Sequence, residues 1–183
     1  MHLDQMVDLD LDIETVAKRM GAALVVMHWA ARTDARDIEF VLGSSRKRST
    51  PLAVDAEELV NMQPKYTGPV GYTHDKCVCR TTQMWVLDFN QARAVELNDD
   101  GVAKMVDAFR LNDPYYPRPL RSAEHERHVW KAFVVSYLQA SRFALEEVDE
   151  KLEGGVLELP RQFILGVIEL ERKRLELRRD KEA

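Results

Sequence analysis

The chain has little cysteine, no long apolar run and no excess of basic residues. Its two cysteines, Cys77 and Cys79, are too few and too close together for a disulfide framework, so we expect a reducing, cytoplasmic location. The longest apolar run, residues 22–27 with its flanks, is far shorter than the roughly 20 residues that a membrane span needs. We therefore expect no membrane partner.

Two further absences limit the function. The net charge of −5 argues against a globally basic nucleic-acid binder, although a local basic patch would still allow one. Residues 1–4 have no positive region ahead of an apolar stretch, so they are not the start of a signal peptide. The 183 residues exclude a complete two-lobed kinase-like enzyme, which needs roughly 250 residues or more.

The residues that are present predict an α+β chain that is mostly helical. Apolar periodicity indicates helices, and short β-branched runs indicate a two-stranded antiparallel hairpin. The predicted helices cover residues 12–33, 55–62, 102–111 and 122–152 and a segment opening at Pro160, and the predicted strands cover 38–43 and 77–87. We expect one α-rich domain over 1–153, with an irregular insertion loop over 44–80, and a charged C-terminal helix over 154–183.

Four carboxylates stand where the two predicted strands begin and end. Asp34 and Asp37 lie on the turn before the first strand, Glu39 starts that strand, and Asp88 ends the second. Antiparallel pairing would bring them to one edge, where they could bind Mg²⁺ or act as general bases, so they are the candidate catalytic residues. The alternative is structural, because aspartates often cap helices and bond to turn backbone.

The candidate substrate-binding residues lie mainly on a proline-rich segment after the third predicted helix. Three prolines in six residues make this segment a stiff connector, and its polar and aromatic side chains could form a rim for a nucleotide, a base or a carboxylate. They could equally pack against the helices. The candidates are His28, Asn90, Asn112, Asp113, Tyr115, Tyr116 and Arg118. Likewise, the basic run at 46–48 could meet phosphates or form a solvated loop.

Zinc ligation is not expected from the histidine and cysteine spacing. His74, Cys77 and Cys79 have no second ligand pair at finger spacing. His125 and His128 are three residues apart, whereas the zinc motif on a helix needs histidines four apart. The two cysteines are more simply alternating residues of a strand.

The order of elements resembles the C-terminal lobe of kinase-like phosphotransferases. Asp34 and Glu39 have the five-residue spacing of the catalytic loop, with Glu in place of Asn, and residues 87–90 read Leu-Asp-Phe-Asn where the metal motif reads Asp-Phe-Gly. No glycine-rich phosphate loop or lysine strand precedes them. The resemblance implies a remnant that binds metal or nucleotide without the nucleotide-gripping lobe.

A second resemblance rests on longer phrases spread over roughly residues 13–145. They are similar to an uncharacterised fungal family whose members are labelled zinc finger proteins, and the fungal arginine-containing cyclodipeptide synthases resemble this family. The phrases are Met-His-Trp at 27–29, Asp-Ile-Glu-Phe-Val-Leu-Gly at 37–43, Trp-Val-Leu-Asp-Phe-Asn-Gln at 85–91, Asn-Asp-Pro-Tyr-Tyr-Pro-Arg-Pro at 112–119, and the helix carrying Trp130, Phe133, Tyr137, Leu138 and Ser141.

This second resemblance implies a fungal secondary-metabolite enzyme that joins aminoacyl groups taken from charged tRNA. Because family members are about twice as long, it also implies a C-terminal part or a short form. Three functions are thus expected: this synthase, a phosphotransferase remnant, and a non-catalytic interaction module that takes a partner helix along the C-terminal helix.

Overall fold

The structure, a computed structural model, describes residues 3–48, 78–112, 116–151 and 155–182. Within these residues the chain is mostly helical, with a two-stranded antiparallel sheet, as the sequence predicts. The elements in chain order are α1 (Leu3–Asp8), α2 (Ile13–Val25), a π-helical turn (Val26–Ala30), β1 (Glu39–Arg48), β2 (Val78–Leu87), α3 (Asp99–Leu111), α4 (Glu124–Lys151), a 3₁₀ turn (Val156–Glu158) and α5 (Leu159–Glu182).

Side-chain caps explain where two of the helices begin. Asp12 precedes α2, and its carboxylate accepts a hydrogen bond from the Thr15 backbone N–H at 2.9 Å. Asn98 does the same for α3, accepting from the Gly101 N–H at 2.9 Å. Residues 98–101, which precede the helix predicted over 102–111, are therefore the cap and first turn of α3, where Asp99 and Asp100 also complement the helix dipole.

Two elements differ from the expectation. β1 continues to Arg48, so the basic residues expected in a loop lie on a strand, because pairing with β2 outweighs their low strand propensity. The short helix α1 was not predicted; its Met6 is buried. The predicted helix at 55–62 and the possible ligands at 74 and 77 lie outside the described residues.

The core forms where α2 packs on α4. A Cβ on Gly21 would lie 2.6 Å from the carbonyl oxygen of Phe133, so the missing side chain lets the two backbones approach closely. Large rings fill the space around this contact, several in edge-on pairs. The largest buried side chains include Trp29, Phe109, Phe133, Tyr137 and Phe163. Two large apolar residues of α4 contribute less to this core, since Trp130 is half-buried and Leu138 is exposed.

The chain divides into two compact units, residues 1–41 with 86–183, and residues 42–85. The first holds every buried hydrophobic side chain among those whose burial is described. The second holds most of the hairpin. No helix in the described part of the chain combines the length and the hydropathy needed to cross a bilayer.

Candidate functional site

Asp34, the first candidate carboxylate, is buried and fully engaged by the chain itself. Its side chain accepts hydrogen bonds from the backbone N–H groups of Arg36 at 3.1 Å and Arg93 at 2.9 Å. The Arg93 Nε adds a charge-assisted bond of 2.6 Å. Two backbone bonds beside it join the same segments, from the Asp34 N–H to the Arg93 carbonyl and from the Val95 N–H to the Arg32 carbonyl. Asp34 therefore connects the segment before β1 to the segment after β2 by hydrogen bonds.

Asp37, which is close to Asp34 in the sequence, and Asn112 form a second set of hydrogen bonds. The Asp37 N–H donates to Asn112 Oδ1 at 2.7 Å, and Asn112 Nδ2 donates to the Ala35 carbonyl at 2.9 Å. Gln91 Nε2 donates to the Asp37 carboxylate. Ala35 and Asp37 have φ of 53° and 64°, the left-handed region that non-glycine residues rarely adopt. The buried amide of Asn112 holds this strained backbone in place.

Tyr116 and Arg118, which lie within the proline-rich segment, continue the network. The Tyr116 hydroxyl donates to the Ile38 carbonyl at 3.1 Å. Arg118 is 8% exposed; its Nη2 donates to the Asn112 carbonyl at 3.2 Å, and its guanidinium lies 4.7 Å from the Phe109 ring centroid. Burial lowers the pKa of Arg118, and the Glu171 carboxylate partly offsets this. Arg118 is thus a cation fixed in the wall of the helical unit.

His28 lies in the core and not at a surface. Its Nδ1 is 2.9 Å from the Tyr137 hydroxyl, and its ring packs edge-on to Phe163 at 4.8 Å between centroids. Burial lowers its pKa to about 3, although attraction to Asp34 and a hydrogen bond with the Asp34 backbone act in the opposite direction. His28 is therefore neutral at ordinary pH, as is typical of a core histidine.

The structure joins six of the predicted site residues and leaves the others apart. His28, Asp34, Asp37, Asn112, Tyr116 and Arg118 belong to one connected set, whose polar atoms largely serve the backbone. Glu39, Asp88 and Asn90 are exposed. Asp113 and Tyr115 lie outside the described residues. No group of three or more acidic, histidine or cysteine side chains in the described part could hold a metal ion, so the expected cluster for Mg²⁺ is not formed there.

A pocket of about 310 Å³ lies beside this network, where α1 covers the start of α2. The segment 116–121 and the first turns of α4 complete its wall. The size falls in the range of small-molecule sites. Its apolar lining consists mainly of Leu3, Met6, Ile13, Val16, Ala17, Met20 and Val129.

The polar lining of the same pocket is concentrated near the start of α4. Arg118, Arg121 and His125 supply the basic side chains, and Asp4 and Glu126 supply the acidic ones. Of these residues only Arg118 was a sequence-based candidate. The others were missed because the pocket forms only where α1 lies against α2 and α4, and α1 is too short for a clear periodic pattern.

The fold and the pocket define a mostly helical protein with a partly open pocket of mixed apolar and polar lining. A family model described as "zinc finger protein" matches residues 84–149. No curated protein and no solved structure matches the chain. Since nothing here points to a kinase lobe or to cyclodipeptide synthases, both resemblances drawn from the sequence are wrong. The match carries the zinc finger label that also accompanied the second resemblance.

The side chains within the matched stretch do not suit a zinc finger. Residues 84–149 contain no cysteine. Their two histidines, His125 and His128, lie on α4, where His128 Nε2 is 3.0 Å from a Glu14 carboxylate oxygen and His125 lines the pocket. A zinc finger site needs four ligands in tetrahedral arrangement, and this stretch does not supply them. We derive no chemistry through zinc.

Proposed function

We propose that this chain is a binding module that takes a small, largely apolar molecule into the pocket beside α1. The observation that carries the proposal is the 310 Å³ pocket, whose lining includes seven apolar side chains of α1, α2 and α4. Burial of apolar ligand surface contributes about 25 cal/mol per Å², which is enough for specific binding when the pocket exists before the ligand arrives. Because α1 contributes Leu3 and Met6 to the lining, this short helix acts as one wall of the site.

The bonding of the candidate carboxylate Asp34 favours a binding function over a catalytic one. Asp34 already accepts three hydrogen bonds from the chain, one of them from the Arg93 side chain, so little of its acceptor capacity is left for a base or a metal ligand. The phosphotransferase remnant therefore has no support from this geometry and stays a prediction. The synthase and its charged tRNA partner also stay predictions, now without the resemblance on which they rested.

A partner helix along the C-terminal helix is a second, weaker proposal. Glu171 is the last buried residue of α5 among those described, and Leu177 beyond it is 63% exposed. An apolar side chain on an otherwise charged, unpacked helical segment suits a helical partner. We also propose a cytoplasmic location, on the low cysteine count.

Calorimetric titration of the full chain with 1-octanol tests the binding proposal. We expect saturable binding with one site, and an increase in melting temperature as ligand is added, because a ligand that binds only the folded state stabilises it by mass action. Val16→Phe places a ring in the pocket and should abolish binding while the protein stays folded. Val135→Phe, the same change at an exposed position of α4, should leave binding unchanged.

Two results would refute the proposal. One is the absence of saturable binding by a folded wild-type chain. The other is equal binding by wild type and by folded Val16→Phe protein, since the ligand would then occupy another place.

A further inference from the structure

The walls of the pocket are held in place to different degrees. The segment 116–121 is held by the hydrogen bond from the Arg118 guanidinium to the Asn112 carbonyl, and α2 packs closely on α4 at Gly21. The third wall, α1, has six residues, of which only Met6 is buried. A helix this short is not stable by itself in water, so α1 depends on its packing against the pocket.

The end of α1 makes it a structural piece separate from α2. The N–H of Leu11 donates to the Met6 carbonyl at 3.0 Å, and the N–H of Asp10 donates to the Val7 carbonyl at 3.0 Å. With Asp10 at a φ of 51°, these two bonds form the cap that typically ends a helix, usually with glycine at this position. The next residue, Asp12, is already the N-cap of α2.

The joint between these two pieces is one tight turn. The N–H of Ile13 donates to the Leu11 carbonyl at 2.8 Å, and Asp12 between them has φ of −70° and ψ of 78°, the values of an inverse γ-turn. Rotation about the two dihedral angles of Asp12 breaks this single bond. The cap of α1 and the cap of α2 both keep their hydrogen bonds during such a rotation.

The floor of the pocket is closed to solvent although the pocket itself is partly open. Ala17, Met20 and Val129 line it, yet they are 2%, 7% and 5% exposed. A molecule from solvent reaches these side chains only when a wall moves. The attachment of α1 rests mainly on Met6, so α1 is the wall that moves at the lowest cost in free energy.

We infer that α1 is a lid that turns about Asp12, opens the floor of the pocket to solvent and closes again. The opening is a property of the fold, whereas the uptake of a ligand under the lid rests on the proposed binding function. Because such a local opening costs less free energy than global unfolding, it takes place in the folded protein.

Labelling of a single thiol by iodoacetamide measures the opening. In the full chain with Cys77 and Cys79 replaced by serine, Ala17→Cys places a thiol at the floor, and Ala108→Cys places one in the core of α3 outside the pocket lining. We expect Ala17→Cys to react at least about tenfold faster than Ala108→Cys. Urea below the unfolding transition should accelerate Ala108→Cys much more than Ala17→Cys, because lid opening exposes little surface.

Two pairs of variants test whether α1 is the moving part. Met6→Ala removes the buried side chain of the lid and should raise the labelling rate of Ala17→Cys by about tenfold or more, whereas Val7→Ala, at an exposed position of the same helix, should not. Asp12→Gly gives the joint more backbone freedom and should raise the rate by about two- to fivefold. Asp12→Asn keeps the cap and should leave the rate near that of wild type.

Saturating 1-octanol links the lid to the proposed function. It should slow the labelling of Ala17→Cys, because the ligand occupies the floor under the closed lid. Labelling that responds to the lid variants but not to 1-octanol would confirm the opening and refute the binding function.

Three results would overturn the lid and leave the binding function standing. They are labelling of Ala17→Cys no faster than that of Ala108→Cys, labelling as fast as that of the unfolded chain, and equal rates with Met6→Ala and Val7→Ala. If Ala17→Cys does not fold, Val129→Cys places the thiol at the same floor and allows the same comparisons.

Discussion

At the scale of single residues, the core histidine links stability to pH. His28 has a folded-state pKa of about 3, against 6.5 in the unfolded chain. Between these values the unfolded state binds a proton that the folded state does not, so stability rises with pH. The contribution of neutral His28 is complete above about pH 6.5 and is lost as the pH falls toward 3, by up to about 1.4 kcal/mol per pH unit.

Replacement of this histidine should therefore flatten the acid side of the stability profile. We expect His28→Gln to lower the free energy of unfolding at pH 7, because it disturbs a packed core, but to reduce the loss of stability between pH 6 and pH 4. Urea unfolding at several pH values measures both effects. His125→Gln, at an exposed histidine, should keep the wild-type slope, and an unchanged slope in His28→Gln would contradict the assignment.

Asn112 should be the most sensitive residue of the strained segment. Asn112→Ala leaves the Asp37 N–H and the Ala35 carbonyl without their partners, and each buried unsatisfied group costs about 1–3 kcal/mol. We expect a loss of about 2–4 kcal/mol in chemical unfolding. Asn90→Ala is the matched change at an exposed site and should have almost no effect. A loss below about 1 kcal/mol for Asn112→Ala would show that water replaces the amide.

The sequence indicated part of this residue-scale picture. It predicted Asp34 and Asp37 as site residues because they cluster before a strand. It could not show that their carboxylates accept hydrogen bonds from Arg93 and Gln91. Those partners lie 59 and 54 residues away and meet the carboxylates only after the hairpin has formed. Burial, which turns His28 from a candidate ligand into a core residue, is likewise a property of the packed helices.

At the scale of elements, the close approach of α2 and α4 depends on Gly21. A methyl group there would lie 2.6 Å from a backbone oxygen that cannot move without shifting α4. We expect Gly21→Ala to destabilise the fold by about 1–3 kcal/mol, the usual range for overpacking, despite the better helix propensity of alanine. Gly166→Ala is the matched control, because its new methyl would meet a methyl of Val106 at 2.8 Å, which can shift more easily. Thermal unfolding should rank Gly21→Ala well below Gly166→Ala, and the reverse order would be inconsistent with this packing.

Periodicity predicts the helices well because their apolar stripes are long. It fails for α1, where six residues are too short for a clear pattern, and for residues 44–48, where pairing with a distant strand decides the conformation. The pocket was therefore invisible in the sequence, since it exists only where α1 is folded against α2 and α4.

At the scale of the whole molecule, the helical unit should not depend on residues 42–85. The largest buried side chains come from residues 1–41 and 86–183, where α2 packs on α4. A short Gly-Ser linker can join the cut ends Val41 and Val86, which belong to the paired strands β1 and β2. Shortening a connection lowers its closure cost by about 0.6 kcal/mol for each halving of its length.

We expect the shortened chain to unfold cooperatively, with a near-UV circular dichroism spectrum like that of wild type and a free energy of unfolding within about 2 kcal/mol of it. It should also bind 1-octanol with unchanged affinity, because every residue that lines the pocket is retained. A chain that unfolds without a cooperative transition would mean that residues 42–85 complete the core. A folded chain that no longer binds would mean that they complete the site, so the two measurements separate a structural role of this segment from a functional one.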